Sequence, residues 1–347
     1  MAMGRRFPTG KIPAEALKEI VFRRLGVRSD RVLLGPGVGE DAAILEMGDR
    51  VLVLATDPIT GAVENIGWLV VHVNANDVAT CGARPGWFFC TMLLPENSDE
   101  VLLEEIMGDM DRAAREIGVA IVGGHSETTP GLGRPILVGF RVGETEKGRY
   151  VTSGGARVGD ALILTKGAGL EGTAVLASDL EEVLRGKVGE EVLRRARGFI
   201  ESISVVEEAM RAMEVGGVHS MHDPTEGGVL NGVWEMAEAS GKGVTIYEEG
   251  IKVAPETRVI CEALEIDPLK ILGSGALLIA ADRGRAEEIA SAIGEMGVEA
   301  SIIGEITAPE EGRWIVHGDG RREELIPPDQ DHVYKVLDRY GLGGAPI

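Results

Sequence analysis

Asp41 and Asp57 stand at the same end of a predicted β-hairpin, and a glycine-rich stretch, Gly37-Val38-Gly39, runs into the first of them. Two apolar runs flank Gly48-Asp49, a two-residue turn signal. With those two residues as the loop, Met47 faces Arg50 and, counting outward, Asp41 faces Thr56, next to Asp57. Facing residues in an antiparallel pair lie about 4.5–5.5 Å apart at Cα. Two carboxylates that close repel each other unless a cation or a proton intervenes. Carboxylates suited to a metal, beside glycines suited to phosphate, point to Mg-nucleotide chemistry.

Three further groups can do chemistry. Asp77 falls four residues after Val73 and seven after Val70, on the apolar face of a predicted helix; a carboxylate there calls for a cation, a hydrogen-bond network or a metal, and a structural ion pair serves equally well. Gly123-Gly124-His125-Ser126-Glu127 follows a strand and reads as a loop. Its glycines let a backbone approach an anion, Glu127 is a metal ligand or a surface acid, and His125 contacts phosphate or caps the loop. Asp223-Pro224-Thr225-Glu226-Gly227-Gly228 reads as a strand-to-helix turn that offers free N–H groups to an anion, or as ordinary capping by Asp223 or Thr225. His219 and His222 precede it at a spacing that puts them on different faces of a strand, which disfavours zinc. The glycine loop at 167–172 is a weak signal, and no stretch matches the P-loop pattern.

The elements that must position these groups can be sketched from periodicity. Helices are expected at 13–25, from Ile66 to Gly82, and at 99–117, and strands at 86–94, 119–122 and 135–142. A polar, glycine-rich segment at 144–157 marks a domain boundary near residue 150, dividing 1–150 from 151–347. The second half alternates strands at 161–166, 218–221, 244–247, 276–281 and 299–306 with helices at 171–184, 204–215, 228–239, 255–264 and 285–296. A last hairpin surrounds Gly318-Asp319-Gly320, and 332–340 reads as helical. Mixed order in both halves argues two α/β or α+β domains.

Composition limits the partners. The formal charge of the 347 residues is −21, a mean field that repels nucleic acid and anionic membrane but admits a nucleotide screened by Mg²⁺. Cys81, Cys90 and Cys261 have no paired spacing, so neither a disulfide framework nor a zinc site is expected, and their apolar surroundings predict buried thiols. No apolar run reaches the roughly 18 residues of a membrane span, and the N-terminus lacks a signal-peptide pattern; a cytoplasmic protein is expected.

Taken in order, Gly37-x-Gly39-x-Asp41-Ala42-Ala43, Thr56-Asp57, Asn76-Asp77-Val78-Ala79 with Gly82-Ala83-Arg84-Pro85, Gly123-Gly124-His125 and Asp223-Pro224-Thr225-x-Gly227-Gly228 resemble the aminoimidazole ribonucleotide (AIR) synthase superfamily. That group includes selenophosphate synthetase, thiamine-monophosphate kinase and HypE, and the chain is most similar to HypE-like, AIR synthase-related proteins. The resemblance spans roughly residues 30–310. It implies a PurM-like two-domain fold. The N-terminal ATP-binding domain pairs its sheet with that of a second subunit in a homodimer barrel, with the ATP site near the interface. A C-terminal α+β domain folds over the nucleotide. It implies Mg-ATP bound without a P-loop, with Asp41, Asp57 and Asp77 on Mg²⁺ and Glu127 as an added ligand. Gly37, Gly39, Asn76, Gly123, Gly124, Thr225, Gly227 and Gly228 would bind the cofactor, and Asp223 and His125 would act on the acceptor.

HypE proper ends in a cysteine that carries its substrate, whereas this sequence ends Gly343-Gly344-Ala345-Pro346-Ile347. Where HypE proteins carry a G-D-T-K stretch, this one has Gly124-His125-Ser126-Glu127. No nucleophile for selenophosphate chemistry stands near Gly10-Lys11. The reading is an ATP- and Mg-dependent enzyme that phosphorylates an oxygen, amide-type among others, of a small-molecule or protein-bound acceptor. The alternatives are a non-catalytic ATP sensor or maturation scaffold, and a kinase like that for thiamine monophosphate.

Overall fold

The computed structural model describes residues 7, 10–60 and 64–341. Its first half is built from α1 (Ala14–Ala16), β1 (Val32–Leu34), β2 (Ala43–Met47), β3 (Arg50–Ile59), α2 (Ile66–Ala79), β4 (Arg84–Pro95), α3 (Glu100–Glu116), β5 (Ala120–Thr129) and β6 (Ile136–Glu146). The strands form one six-stranded sheet in the order β1-β2-β3-β6-β4-β5. Only the β4–β5 pair is parallel. The hairpin register is the expected one, with Met47 opposite Arg50.

Every residue of α2 is buried, because the helix is covered on two sides. Leu69, Val70 and Val73 pack with Phe88, Met110 and Leu137 between the sheet and α3. Ala75 and Ala79 pack with Val206, Ala209 and Ala212 of the second half. Covered on both sides, the helix buries even its polar residues His72, Asn74, Asn76 and Asp77.

The second half contains β7 (Ala161–Thr165), α4 (Leu170–Asp179), α5 (Glu181–Leu184), α6 (Glu190–Arg197), α7 (Val206–Val215), β8 (Val218–His222), α8 (Gly228–Ser240), β9 (Gly243–Tyr247), α9 (Pro255–Leu264), β10 (Leu278–Ala281), α10 (Ala286–Gly294), β11 (Ala300–Thr307), β12 (Arg313–Val316), β13 (Arg322–Glu324) and α11 (His332–Arg339). Its seven strands form a second sheet, β13-β12-β9-β11-β7-β10-β8. Alternation along β7 sends Leu162 and Leu164 toward α8 and Ala161 and Ile163 toward α7 and α10. The result is a mixed α+β fold with two sheets.

The structure departs from the sequence reading in several elements, the short β1 among them. The helix expected at 13–25 shrinks to α1 and one π turn ending at Phe22. Among α1 and that turn only Ala16 is buried, so little packing holds the helix. The helix expected at 171–184 breaks at Leu180 into α4 and α5. α6 was not expected; Leu193 and Ala196 are its only buried residues. Finally, Gly123-Gly124-His125-Ser126-Glu127 is not a loop but the middle of β5, where the would-be Cβ of Gly124 falls 2.0 Å from the Cys90 carbonyl oxygen and that of Gly123 meets the Phe89 ring. The two glycines let β5 lie against β4.

Candidate active site

A cleft of about 540 Å³ opens between the two halves, lined by Asp41, Asp57, Asp77, Asp223 and Thr225 together with Lys11, Glu40 and His222. That size suits a small-molecule site. Asp57 comes from the far end of β3 and Asp77 from α2. Asp41 lies just ahead of β2, and Asp223 follows the last residue of β8. The β2–β3 ladder stops at Ala43 opposite Leu54, so Asp41 does not pair with Thr56 as expected; it nonetheless reaches the same cleft.

Burial and crowding raise three of the cleft aspartates, Asp57, Asp77 and Asp223. Burial, with Asp41 adding repulsion against the pull of Lys11, raises Asp57 to about 6. Burial followed by repulsion from Asp57, Asp223 and Asp41 holds Asp77 well above the carboxylate range. Asp223 is raised for the same reasons, despite His222 beside it, and both its carboxylate oxygens are buried without a partner. Glu40 is raised by burial and by Asp41; its two oxygens accept from the Ser153 and Gly154 N–H groups at 3.2 Å each.

One chain of opposite charges runs along the wall. Lys11 Nζ donates to Glu235 at 2.9 Å. Glu235 faces His222 Nε2 at 3.2 Å, and Nδ1 of His222 lies 2.7 Å from Asp41, a charge contact without the alignment of a hydrogen bond. Burial disfavours charge on His222, but Asp41 and Glu235 outweigh it and raise the imidazole well above its ordinary value. Burial raises Glu235 as well, yet Lys11 and His222 pull it down to about 2. His219, three residues earlier, instead meets Asp160 and Arg157, so the two histidines have separate partners.

Among the described residues no three His, Cys, Asp or Glu side chains converge closely enough to hold a metal ion by themselves. Mg²⁺ does not need such a cage, since it is commonly held by one or two carboxylates plus waters and phosphate oxygens. Hard carboxylate donors, an orphaned buried Asp223 and raised acids on three elements fit a divalent cation that arrives with an anionic ligand.

The other sequence candidates are placed differently. Asn76 faces away from the cleft: its Oδ1 accepts from the Val205 N–H and its Nδ2 donates to the Ile203 carbonyl, each at 2.9 Å. One residue along a helix turns a side chain by about 100°, so Asn76 and Asp77 cannot share a target. Gly39, at φ +78°, clears the Glu235 carbonyl, 2.6 Å from its would-be Cβ. The Gly227 N–H is already taken by Asp331 at 2.7 Å, and Gly228 clears the Leu269 carbonyl; these glycines shape the turn. Gly37 does not line the cleft. Gly123, Gly124, His125 and Glu127 sit on the outermost strand, away from the cleft of their own chain, and His125 meets Glu127 at 3.0 Å. The sequence reading passed over Lys11, Glu40 and Glu235. Only the adjacency of Glu40 to Asp41 could have signalled one of them.

Val175, Leu272, Val333 and Leu337, packed together, give the cleft an apolar stretch. Two more acids line the cleft, Glu171 bonded to Ser274 and Glu226 to Tyr334 and the Lys11 N–H. Cys81, Cys90 and Cys261 are free and buried, and burial pushes Cys90 and Cys261 up to about 12. Among the described residues no helix is long and apolar enough to cross a membrane.

Comparison with known proteins agrees with this geometry. Residues 39–145 match the model for the AIR synthase related protein N-terminal domain, and residues 157–317 match its C-terminal domain. A putative hydrogenase expression/formation protein of Methanocaldococcus jannaschii is 30% identical over 329 residues, 92% of this chain and 94% of that protein. The carbamoyl dehydratase HypE of Cupriavidus necator is 31% identical over 316 residues, 88% of this chain and 86% of its own. A crystal structure of the hydrogenase maturation protein HypE in complex with ATP superposes with a TM-score of 0.71 at 25% identity, covering 94% of this chain and 98% of that one.

Proposed function

From the premise that the chain belongs to the AIR synthase related family, we propose that it is an ATP- and Mg²⁺-dependent enzyme that phosphorylates an oxygen of its acceptor, as a carboxamide dehydratase would. The observation that carries this is the convergence of Asp41, Asp57, Asp77 and Asp223 on one cleft, with Asp223 buried and unpartnered. Phosphoryl transfer asks mainly for positioning and charge neutralisation. Mg²⁺ supplies the neutralisation when bound; one or two of Asp41, Asp57 and Asp77, which line the cleft, would hold it, with waters and phosphate oxygens as its other partners. Asp223 stands beside them to orient the acceptor, and the apolar stretch near Val175 and Leu272 has room for it.

The likeness to carbamoyl dehydratases and to an ATP-bound HypE supports this reaction class. The N-terminal half, to about residue 150, would bind ATP and form the dimer. Trp87, Phe89, Val122 and Phe140 project from the uncovered face of its sheet and are each more than a third exposed, which supports a second subunit there. Gly123, Gly124, His125 and Glu127 on the open edge strand would then reach a nucleotide across that interface. Three buried free thiols suit a reducing, cytoplasmic setting.

Phosphorus NMR of the protein with Mg-ATP and a set of carboxamides tests the reading. Phosphate release that depends on one carboxamide supports it. Absence of Mg-dependent nucleotide binding overturns it.

A further inference from the structure

β2 leaves β3 at Leu54, so three residues later the strand has lost that neighbour, while β6 continues beside it to Ile59. At this point a side chain takes over. Asn74 of α2 is fully buried. Its Oδ1 accepts from the Asp57 N–H at 2.8 Å, and its Nδ2 donates to the Asp57 carbonyl at 3.2 Å and to the Val70 carbonyl at 2.9 Å. The amide therefore grips one residue of the strand from both backbone groups and is itself held to its own helix.

Room for that grip comes from Gly139, the residue opposite Asp57 on β6. A Cβ on Gly139 would lie 2.2 Å from Asn74 Nδ2, which no rotamer change of a buried amide absorbs. The Thr56 hydroxyl donates to the Gly139 carbonyl at 2.7 Å, fixing the opposing strand at the same level. Asn74 also stands three residues before Asp77, one turn away on the same helix. One rigid, buried helix thus carries one cleft acid and grips the backbone of another.

We propose that Asn74 is a positioning residue for Asp57, and that with Gly139 it sets the spacing between the Asp57 and Asp77 carboxylates in the cleft. The inference rests on the reading of those acids as the Mg²⁺ end of the site. Partners that orient metal-binding groups are worth about 10–100-fold in metal affinity when removed.

The test is calorimetric titration of a non-hydrolysable ATP analogue at graded Mg²⁺ concentrations. Asn74→Leu and Gly139→Ala each raise the Mg²⁺ needed for half-maximal binding by about tenfold or more, with a native circular dichroism spectrum. Adding Asn74→Leu to Asp57→Asn gives no further shift, because both act on one carboxylate. A folded Asn74→Leu or Gly139→Ala protein with unchanged Mg²⁺ dependence, while Asp57→Asn weakens it, overturns this inference alone. If Asp57→Asn and Asp77→Asn change nothing, the Mg²⁺ reading fails and the inference with it. Should both variants misfold, amide hydrogen exchange in the unmodified protein decides. Protection at Asp57 that rises with Mg²⁺ and the analogue supports the role, and exchange at the rate of an open peptide overturns it.

Discussion

Asp41 holds one oxygen 2.7 Å from Nδ1 of His222, so the acid nearest the start of the hairpin already has a cation beside it. The other ring nitrogen faces Glu235, which is in turn bonded to Lys11. Charges alternate along this wall, whereas Asp57, Asp77 and Asp223 repel one another across the cleft. The charges along this wall are balanced within the chain, whereas both carboxylate oxygens of Asp223 have no partner.

Glu235→Ala breaks the alternation in the middle and leaves a buried imidazolium with one partner. Breaking a buried pair costs about 3–5 kcal/mol. We expect a loss of that order in urea denaturation, with Glu235→Gln losing less because it can still hydrogen-bond His222. Equal stability of Glu235→Ala and the parent protein would show that the wall carries no net energy.

Asp77→Asn should separate stability from binding. The raised carboxyl of Asp77 is a cost of the metal-free state, so removing its charge raises the metal-free melting temperature, by roughly 1–2 °C for each kcal/mol relieved in a chain of this length. The same change, like Asp41→Asn, lowers Mg-ATP affinity by about tenfold or more. Thermal melts with and without Mg-ATP read both effects on one sample.

The pH dependence has a definite sign. The folded-state pKa of Asp57, about 6, lies above the unfolded value of about 3.9. The folded protein thus holds the proton more tightly. This contribution to stability is complete below about pH 4 and is lost as pH rises through about 6. Metal-free protein should be less stable at pH 7.5 than a carboxyl of ordinary pKa would make it, and Mg²⁺ with nucleotide should restore the difference. Mg²⁺ affinity should rise through the same window, with proton release on binding. Titrations in buffers of different ionisation enthalpy measure that release.

Much of this was legible in the sequence because it rests on local pattern. The Gly48-Asp49 turn predicted the hairpin register, and the 3.6-residue period located α2 and put Asp77 on its apolar face, which the structure brings to the cleft. The resemblance of five short motifs carried the family. What escaped depends on long-range contact. Lys11 meets Glu235 across 224 positions, and no periodicity links such residues. The misreading of β5 has the same origin. Gly-Gly signals a loop locally, yet here it permits close approach of a parallel neighbour. Asn76 shows the converse error. Its motif membership suggested a ligand contact, while the helix turns it toward the backbone of Ile203 and Val205.

Asn76→Ala follows from that last contact. It removes two buried hydrogen bonds joining α2 to the segment before α7 and leaves a buried N–H and C=O without partners. An unsatisfied buried polar group costs about 1–3 kcal/mol, so a stability loss of roughly 2–6 kcal/mol is expected from denaturant unfolding. Mg-ATP affinity below the unfolding transition should stay within about threefold of the parent, since an indirect effect on Asp77 through a buried helix is worth less than about 1 kcal/mol. A tenfold loss of affinity with little loss of stability would instead return Asn76 to the nucleotide site.

The uncovered sheet face gives a prediction about assembly. Phe89 and Phe140 meet there with tilted rings, 5.9 Å between centroids, on adjacent strands and more than a third exposed. Phe140→Glu introduces a charge that a subunit interface would have to desolvate, at a cost of several kcal/mol, whereas on a free surface it is tolerated within about 0.5 kcal/mol. Sedimentation equilibrium should show a dimer for the parent protein and a monomer for the variant at the same concentration. If Gly123 to Glu127 serve the partner's nucleotide, the monomeric variant also loses Mg-ATP affinity while its cleft aspartates are intact. A variant that remains dimeric would place the interface elsewhere, and a monomer with full affinity would confine the nucleotide site to a single chain.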